Sequence, residues 1–117
     1  MGGIRQWWEA DHAVTQRYFN QMLHLPGQAP YFAEPWVCEN IVKQHLDSPA
    51  MLCILPLQDW LSIDGTIRRE NPYEEQINEP AINPHYWRYR MHITLEDLLI
   101  EQLYNQRVTA MVAQSGR

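Results

Sequence analysis

Apolar residues recur at helical spacing in the first part of the chain. Over residues 3–24 they follow one face of a helix, with charged and amide side chains between them. This stripe consists of Ile4, Trp8, Val14, Tyr18, Met22 and, just past the helix, Leu25. After a loop rich in Pro and Gly, a second helix is predicted over residues 35–47, because Pro35 suits the first helical turn. Its apolar face consists of Val37, Ile41, Val42 and Leu46.

The pattern changes at residues 50–57, where "AMLCILPL" is short and almost continuously apolar. This is typical of a buried strand in a parallel sheet that is covered on both faces. Pro56 lacks the ladder donor, so it is expected at the end of the pairing. Gln58 and Asp59 follow at the C-terminal end of this predicted strand, where α/β folds bind ligands.

Residues 62–92 form a long connection with little periodicity of their own. Connections of this length are uncommon in compact domains unless they are functional. Thr94 is then predicted to cap a final helix over residues 95–113, with Asp97 in the place of the usual Glu of a capping box. A single buried strand would leave its backbone groups without partners. The chain is therefore predicted to be part of something larger.

Composition adds several limits to this picture. The chain has 117 residues, the size of one small domain, and its net charge of -5 argues against an electrostatic nucleic-acid binder. There is no apolar run of roughly 20 residues and no signal peptide, so a cytoplasmic protein without a membrane contact is expected. Cys38 and Cys53 are interpreted as free thiols, with a disulfide as the alternative. The five tryptophans suit either a bulky core or stacking platforms for sugar rings.

Two stretches carry a family resemblance. "PWVCENIVKQHLDSPAMLCILPLQDWLSID" and "RRENPYEEQINEPAINPHYWRYRMHITLEDLL" resemble the C-terminal end of the 4-α-glucanotransferases, also called amylomaltases or disproportionating enzymes (glycoside hydrolase family 77). The resemblance is closest to the long subgroup with N-terminal starch-binding modules. The "PLQD" motif, the Asn78-x-Pro80 motif and the run Tyr86–Arg90 occur in the order that this family uses.

The resemblance implies a C-terminal segment of a (β/α)8 barrel, which in isolation would be mainly α with one short buried strand. Residues 50–57 would be the last barrel strand and the final helix would close the barrel. It also implies an enzyme that cleaves an α-1,4-glucan, holds the donor part covalently and passes it to the 4-OH of another sugar. Such a transferase needs no cofactor, and its substrates are maltodextrins.

By the same resemblance, the family's catalytic carboxylates and a His-Asp pair precede Met1, which then looks like an internal methionine serving as a start. No catalytic residue is assigned in this chain, and it is predicted to be inactive alone. Retaining glycosidases need two carboxyl groups about 5 to 5.5 Å apart. Glu74 and Glu75 are interpreted instead as a solvated edge, and Asp59 as a residue that positions its loop or pairs with an Arg.

The predicted substrate-binding residues are Asn78, Pro80 and Trp87. The matching Asn of the family faces the acceptor side of the cleft, and an amide both donates to and accepts from sugar hydroxyls. The alternatives are a turn-capping Asn78 and a structural role for the run 86–90, in which Arg88 and Arg90 pair with carboxylates. The sequence departs from the family pattern at Gly2-Gly3 and at Ala81.

No metal or cofactor site is predicted, because the five histidines show no ligand spacing and no Cys-x-x-Cys or Gly-rich phosphate loop occurs. Three hypotheses remain open. The chain is a glucanotransferase fragment, a non-catalytic carbohydrate- or protein-binding helical module, or a small helical interaction protein. The first predicts that the chain associates with the missing barrel portion or with itself.

Overall fold

A computed structural model of the chain describes residues 1–79, 81–84 and 86–117. Its elements, in order, are α1 (Gly2–Ala10), α2 (His12–Gln21), α3 (Pro35–Leu46), α4 (Leu57–Leu61), a 3₁₀ helix (Pro72–Glu75), α5 (Leu95–Ile100) and α6 (Gln102–Gln114). The chain is mainly α. None of the helices in these ranges is long and apolar enough to cross a bilayer.

The prediction of a buried strand at residues 50–57 is wrong, because no strand occurs among the described residues. The segment leads directly into α4, which begins at Leu57. Cys53 and Leu55 pack against a core cluster, whereas Met51, Leu52 and Ile54 are 93%, 74% and 85% exposed. A strand needs a neighbouring strand for its backbone hydrogen bonds, and the described part of the chain supplies none.

The long first helix predicted over residues 3–24 is two helices that meet at Asp11. Asp11 has an extended conformation, with φ -147 and ψ 96. Its carboxylate accepts hydrogen bonds from the backbone N–H groups of Ala13 at 3.0 Å and Val14 at 3.2 Å. Asp is common at this capping position because its side chain accepts hydrogen bonds from N–H groups that have no partner inside the helix.

The final helix, predicted over residues 95–113, is also divided. Thr94 caps α5 as predicted, since its hydroxyl oxygen accepts from the N–H of Asp97 at 3.1 Å. The carboxylate of Asp97 accepts from the Thr94 hydroxyl rather than from a backbone N–H. The helix breaks at Glu101, which has φ -75 and ψ 69. The side-chain amide of Asn105 then donates to the carbonyl of Leu98 at 2.9 Å, so this carbonyl near the end of α5 has a partner.

Helix α3 joins two hydrophobic clusters. Its first half contributes Val37, Cys38 and Ile41 to a cluster with Trp8 and Phe19. Its second half contributes to a cluster that consists of Val42, Leu46, Leu61, Ile63, Ile67, Tyr104 and Met111. Because each half of α3 belongs to a different cluster, this helix links the N-terminal helices to the C-terminal ones. Both cysteines are free thiols; Cys38 is buried and Cys53 is half-buried.

The tryptophans differ in exposure. Trp8 is fully buried, and its indole N–H donates to the carbonyl of Pro30 at 2.8 Å. Trp87 is 68% exposed. Trp8 is therefore a core residue, whereas Trp87 presents a ring at the surface.

We expect Asp11→Ala to lower the free energy of unfolding by about 1 kcal/mol, because two N–H groups of α2 lose their acceptor. Urea denaturation followed by circular dichroism measures this change. Asp47→Ala is the matched control, since the exposed Asp47 follows the C-terminus of α3 and caps no helix N-terminus. An equal loss in both variants would contradict the capping role of Asp11.

Candidate functional site

The buried guanidinium of Arg5 holds the long connection against α1. Arg5 is 5% exposed. It donates to the carbonyl of Arg69 at 2.8 Å and to the carbonyl of Glu70 at 2.6 Å, and lies 3.5 Å from the carboxylate of Glu75. Three points of the connection are thereby fixed to one side chain.

Gly2 allows the first turn of α1 to approach the 3₁₀ helix. A Cβ at this position would lie 2.8 Å from the Cβ of Glu75 and 2.8 Å from the carbonyl oxygen of Pro72. Such contacts are too short for any side chain. Within the pair Gly2-Gly3, Gly2 therefore has a packing role, whereas a Cβ at Gly3 would meet nothing within 4 Å.

Glu75 is an unusual carboxylate because its side chain is only 2% exposed. Burial raises the pKa of Glu75, whereas Arg5 and Arg68 oppose that shift. Burial also lowers the pKa of Arg5. Among the described residues, the Oε2 atom of Glu75 has no hydrogen-bond partner. The interpretation of Glu74 and Glu75 as a solvated edge is wrong for Glu75; Glu74 is exposed and pairs with Arg69 at 2.8 Å.

The predicted binding residues lie on the surface after this anchored segment. Asn78 is exposed, and its backbone carbonyl oxygen accepts a hydrogen bond from the side-chain amide of Gln76 at 3.0 Å. Trp87 is also exposed, and Pro80 lies outside the described residues. Gln76 lines an open depression of about 480 Å³ together with residues of the run 86–90. The structure therefore brings the two segments together, although neither Asn78 nor Trp87 lines this depression.

The run 86–90 is basic on its exposed side. The Arg88 guanidinium lies 4.9 Å from the centroid of the Tyr86 ring, a cation–π distance. Arg69 donates to the carbonyl of Arg90 at 3.0 Å. Within the described ranges, neither Arg88 nor Arg90 forms an ion pair with a carboxylate, so the pairing predicted for them is not found inside this segment.

Asp59 lies on α4, where its carboxylate contacts the amino group of Met1. Its carbonyl accepts from the hydroxyl of Ser62 at 2.6 Å. Asp59 and Glu75 both line a cavity of about 270 Å³, together with Gln58 and Gln76. The polar pair that follows the apolar segment thus lies beside the anchored connection.

Metal ligation is not indicated by the arrangement of the side chains. Among residues 1–79, 81–84 and 86–117, no group of three or more His, Cys, Asp or Glu side chains could hold a metal ion. His92 instead forms a hydrogen bond from Nε2 to the carbonyl of Ile67 at 2.6 Å.

Comparison with known proteins assigns the family. The family model for 4-alpha-glucanotransferase matches residues 1–95. The chain belongs to the 4-alpha-glucanotransferase family. The 4-alpha-glucanotransferase DPE2 of Oryza sativa subsp. japonica is 37% identical over 114 residues, which are 97% of this chain and 12% of that protein. A 4-alpha-glucanotransferase of Chlamydia pneumoniae is 30% identical over 101 residues, which are 86% of this chain and 19% of that protein.

This glucanotransferase segment spans less than a fifth of the length of either relative. The family match reaches from α1 to the start of α5, and the rice alignment covers nearly the whole chain. No solved structure shows significant similarity to the segment.

Sequence reasoning missed the pair formed by Arg5 and Glu75. A local signal for it existed, because Arg5 lies three residues before the fully buried Trp8, on the face of α1 that packs inward. A charge on that face predicts a buried partner. The partner itself lies far along the chain, in a segment without periodicity, so the local pattern could not identify it.

We expect the free energy of unfolding of the segment to decrease, relative to that of the Glu75→Gln variant, as the pH rises above 4.5. Since the pKa of Glu75 is raised above its ordinary value of 4.5, protonation of this group favours the folded state. That contribution is complete below pH 4.5 and is lost as the pH rises through the higher pKa of the folded state. Thermal unfolding of both proteins from pH 4 to pH 7 measures the difference.

The control is Glu74→Gln, which neutralises the exposed carboxylate beside it. The same pH trend in both variants would show that burial of Glu75 is not the cause.

Proposed function

We propose that the segment is the C-terminal part of a (β/α)8 barrel and contributes acceptor-side contacts to a 4-α-glucanotransferase. The enzyme transfers α-1,4-glucan segments between maltodextrins. The observation that carries the proposal is the family match over residues 1–95, which includes the "PLQD" motif, Asn78 and the run 86–90. In this arrangement residues 50–57 form a strand only when neighbouring strands of the barrel supply backbone hydrogen-bond partners.

The proposal includes that the segment is inactive by itself. Transfer with retention requires a nucleophilic carboxylate and a protonated acid on either side of the scissile bond. Burial by itself raises the pKa of Glu39, but hydrogen bonds from Arg107 and Lys43 outweigh burial and lower this pKa. Hydrogen bonds from Thr66 and Ile67 likewise lower the pKa of Asp64 against burial. These carboxylates are poor acids, and Glu75 is enclosed with Arg5.

Asn78 is the main proposed sugar contact, and Pro80 and Trp87 complete the proposed substrate-binding set. An exposed amide donates to one hydroxyl and accepts from another, which suits the diol edge of a glucose unit. The bond from Gln76 to the Asn78 carbonyl holds the backbone at this point. The exposed ring of Trp87 offers an apolar face for the C–H groups of a sugar.

A second candidate function is a carbohydrate-binding module without catalysis. It is favoured by the exposed aromatic side chains. Those more than half exposed are Tyr31, Phe32, Tyr73, Tyr86 and Trp87. The two candidates differ in one property: only a barrel segment restores transfer to an enzyme that lacks its own C-terminal part.

Apolar surface indicates where the rest of the barrel would dock. On α5 and α6, Leu99 and Leu103 are 77% and 84% exposed, and Leu52 and Ile54 are exposed before α4. We propose that the missing barrel portion covers these side chains in the intact enzyme. In the isolated segment, a second copy covers them.

We expect no glucose release from maltotriose by the segment alone, and restored transfer in a fusion with the rice relative. In that fusion, the segment replaces the matching 114 residues of the rice protein. Asn78→Ala in the fusion should lower kcat/KM for transfer to glucose by about tenfold, because a hydrogen bond to the acceptor is lost. Glu79→Ala, a change of the exposed neighbour, is the control.

The truncated rice protein without any replacement sets the baseline for this measurement. A fusion that folds but stays at that baseline would contradict the proposal of a barrel segment. Glucose release by the segment alone, abolished by mutating one of its own carboxylates, would contradict its inactivity.

We expect the isolated segment to sediment as a dimer or larger species at micromolar concentration, because its exposed leucines gain burial on association. The double variant Leu99→Lys/Leu103→Lys should shift the distribution toward the monomer. Ile82→Lys is the control at an exposed apolar position outside the helices, since Ile82 is 52% exposed. Sedimentation velocity measures all three proteins, and a monomeric wild type would overturn the association.

A further inference from the structure

We propose that the cavity between α1 and the long connection is a second glucan-binding site, separate from Asn78 and Trp87. The cavity has a volume of about 380 Å³ and is lined by Arg5, Glu9, Phe32, Glu34, Arg68 and Tyr73, among others. Pockets for small ligands span about 300–1,000 Å³, so one or two sugar units are of the right size. The choice of glucan among sugars rests on the function proposed above.

The polar groups of the cavity suit a neutral ligand that carries many hydroxyl groups. Arg5 and Arg68 both line it, but the buried guanidinium of Arg5 is occupied by the carbonyls of Arg69 and Glu70, so the half-buried Arg68 is the more accessible donor. Three carboxylates, of Glu9, Glu34 and Glu70, line it as acceptors, and none of these forms an ion pair with a cation of the described residues. Donors and acceptors side by side match neighbouring sugar hydroxyls, each of which both donates and accepts.

The charge balance disfavours the other ligand classes. Three carboxylates against two guanidinium groups leave the lining slightly negative, which repels a phosphate or a carboxylate ligand. A metal cation is disfavoured as well, because among the described residues no group of three or more His, Cys, Asp or Glu side chains could hold one. A neutral sugar avoids the charge repulsion and still hydrogen-bonds to these polar groups.

Aromatic side chains supply the second half of a sugar site. Phe32 and Tyr73 line the cavity and are 53% and 66% exposed, so part of each ring remains open to a ligand. Tyr31 packs edge-on against Phe32, with the ring centroids 4.9 Å apart. The C–H face of a pyranose packs on such a ring, while its hydroxyls reach the charged groups.

The walls of the cavity are held before any ligand binds. Arg68 donates to the carbonyl of Ala33 at 2.8 Å, which joins the connection to the loop before α3. Arg5 joins the same connection to α1 through the carbonyls of Arg69 and Glu70. A site fixed by these bonds loses little conformational entropy on binding.

The test is an NMR titration of the full 117-residue chain with maltotriose, which follows the backbone amide shifts. We expect saturable shifts in residues 5–9, 32–34 and 68–73. Phe32→Ala and Tyr73→Ala should each raise the Kd by roughly tenfold, because a stacking face is lost. Glu9→Gln should raise it by a smaller factor. All three side chains are at the surface, and the amide spectrum reports whether each variant remains folded.

Tyr86→Ala is the matched control, since Tyr86 is 67% exposed but lines the other depression. Unchanged affinity in this variant supports the site. Shifts confined to residues 76–90, or an unchanged Kd in Phe32→Ala and Tyr73→Ala, would overturn the site. Titration with inorganic phosphate is the second arm, and binding of phosphate in the cavity would overturn the ligand class.

The outcome separates this inference from the proposed function. If the segment does not belong to a working barrel, the rice fusion stays at its baseline whether or not maltotriose binds in the cavity. If the cavity is not a sugar site, the fusion still transfers glucan while the cavity shows no shifts.

Discussion

The buried guanidinium of Arg5 is the interaction on which the placement of the long connection depends. Among the described residues from 62 to 92, regular structure is limited to the 3₁₀ helix. Most backbone carbonyls of this stretch therefore have no hydrogen-bond partner within a helix or a sheet. Buried carbonyls without a donor are costly. Arg5 donates to two of them and lies beside the buried carboxylate of Glu75. Removing the guanidinium would leave two acceptors and one carboxylate without their donor, which is more costly than losing an exposed ion pair.

The same side chain connects the two candidate surfaces. On one side, Arg5 lines the cavity that also contains Phe32 and Tyr73. On the other side, it pairs with Glu75, three residues before Asn78. Both surfaces therefore take their position from one buried pair rather than from separate elements. The close approach at Gly2 serves the same purpose, because a side chain there would push the 3₁₀ helix away from α1.

The features that were predictable from the sequence are those that depend on local chemistry. Residues 35–47 were predicted as a helix because Pro35 and the apolar spacing are both local signals, and α3 spans Pro35–Leu46. The cap at Thr94 is local too. Residues 50–57 were misjudged because a strand exists only with a partner strand, which an apolar run does not reveal. At Asp11, a side-chain cap replaces a continuous helix. The spacing of the apolar residues does not predict this break. Asn78 and Trp87 were selected by family resemblance, and only their exposure is visible in the fold.

The distribution of apolar surface supports the proposal that the segment is part of a larger barrel. Helix α3 contributes buried side chains to both hydrophobic clusters, so the segment has an interior of its own. The apolar side chains that are more than 70% exposed lie before α4, on α5 and at the start of α6. Leu52 and Ile54 alternate with the packed Cys53 and Leu55, so this extended stretch presents one face to the core and one to solvent. In the proposed barrel, residues 50–57 form a strand that is covered on both faces, and such a strand needs apolar side chains on each of them.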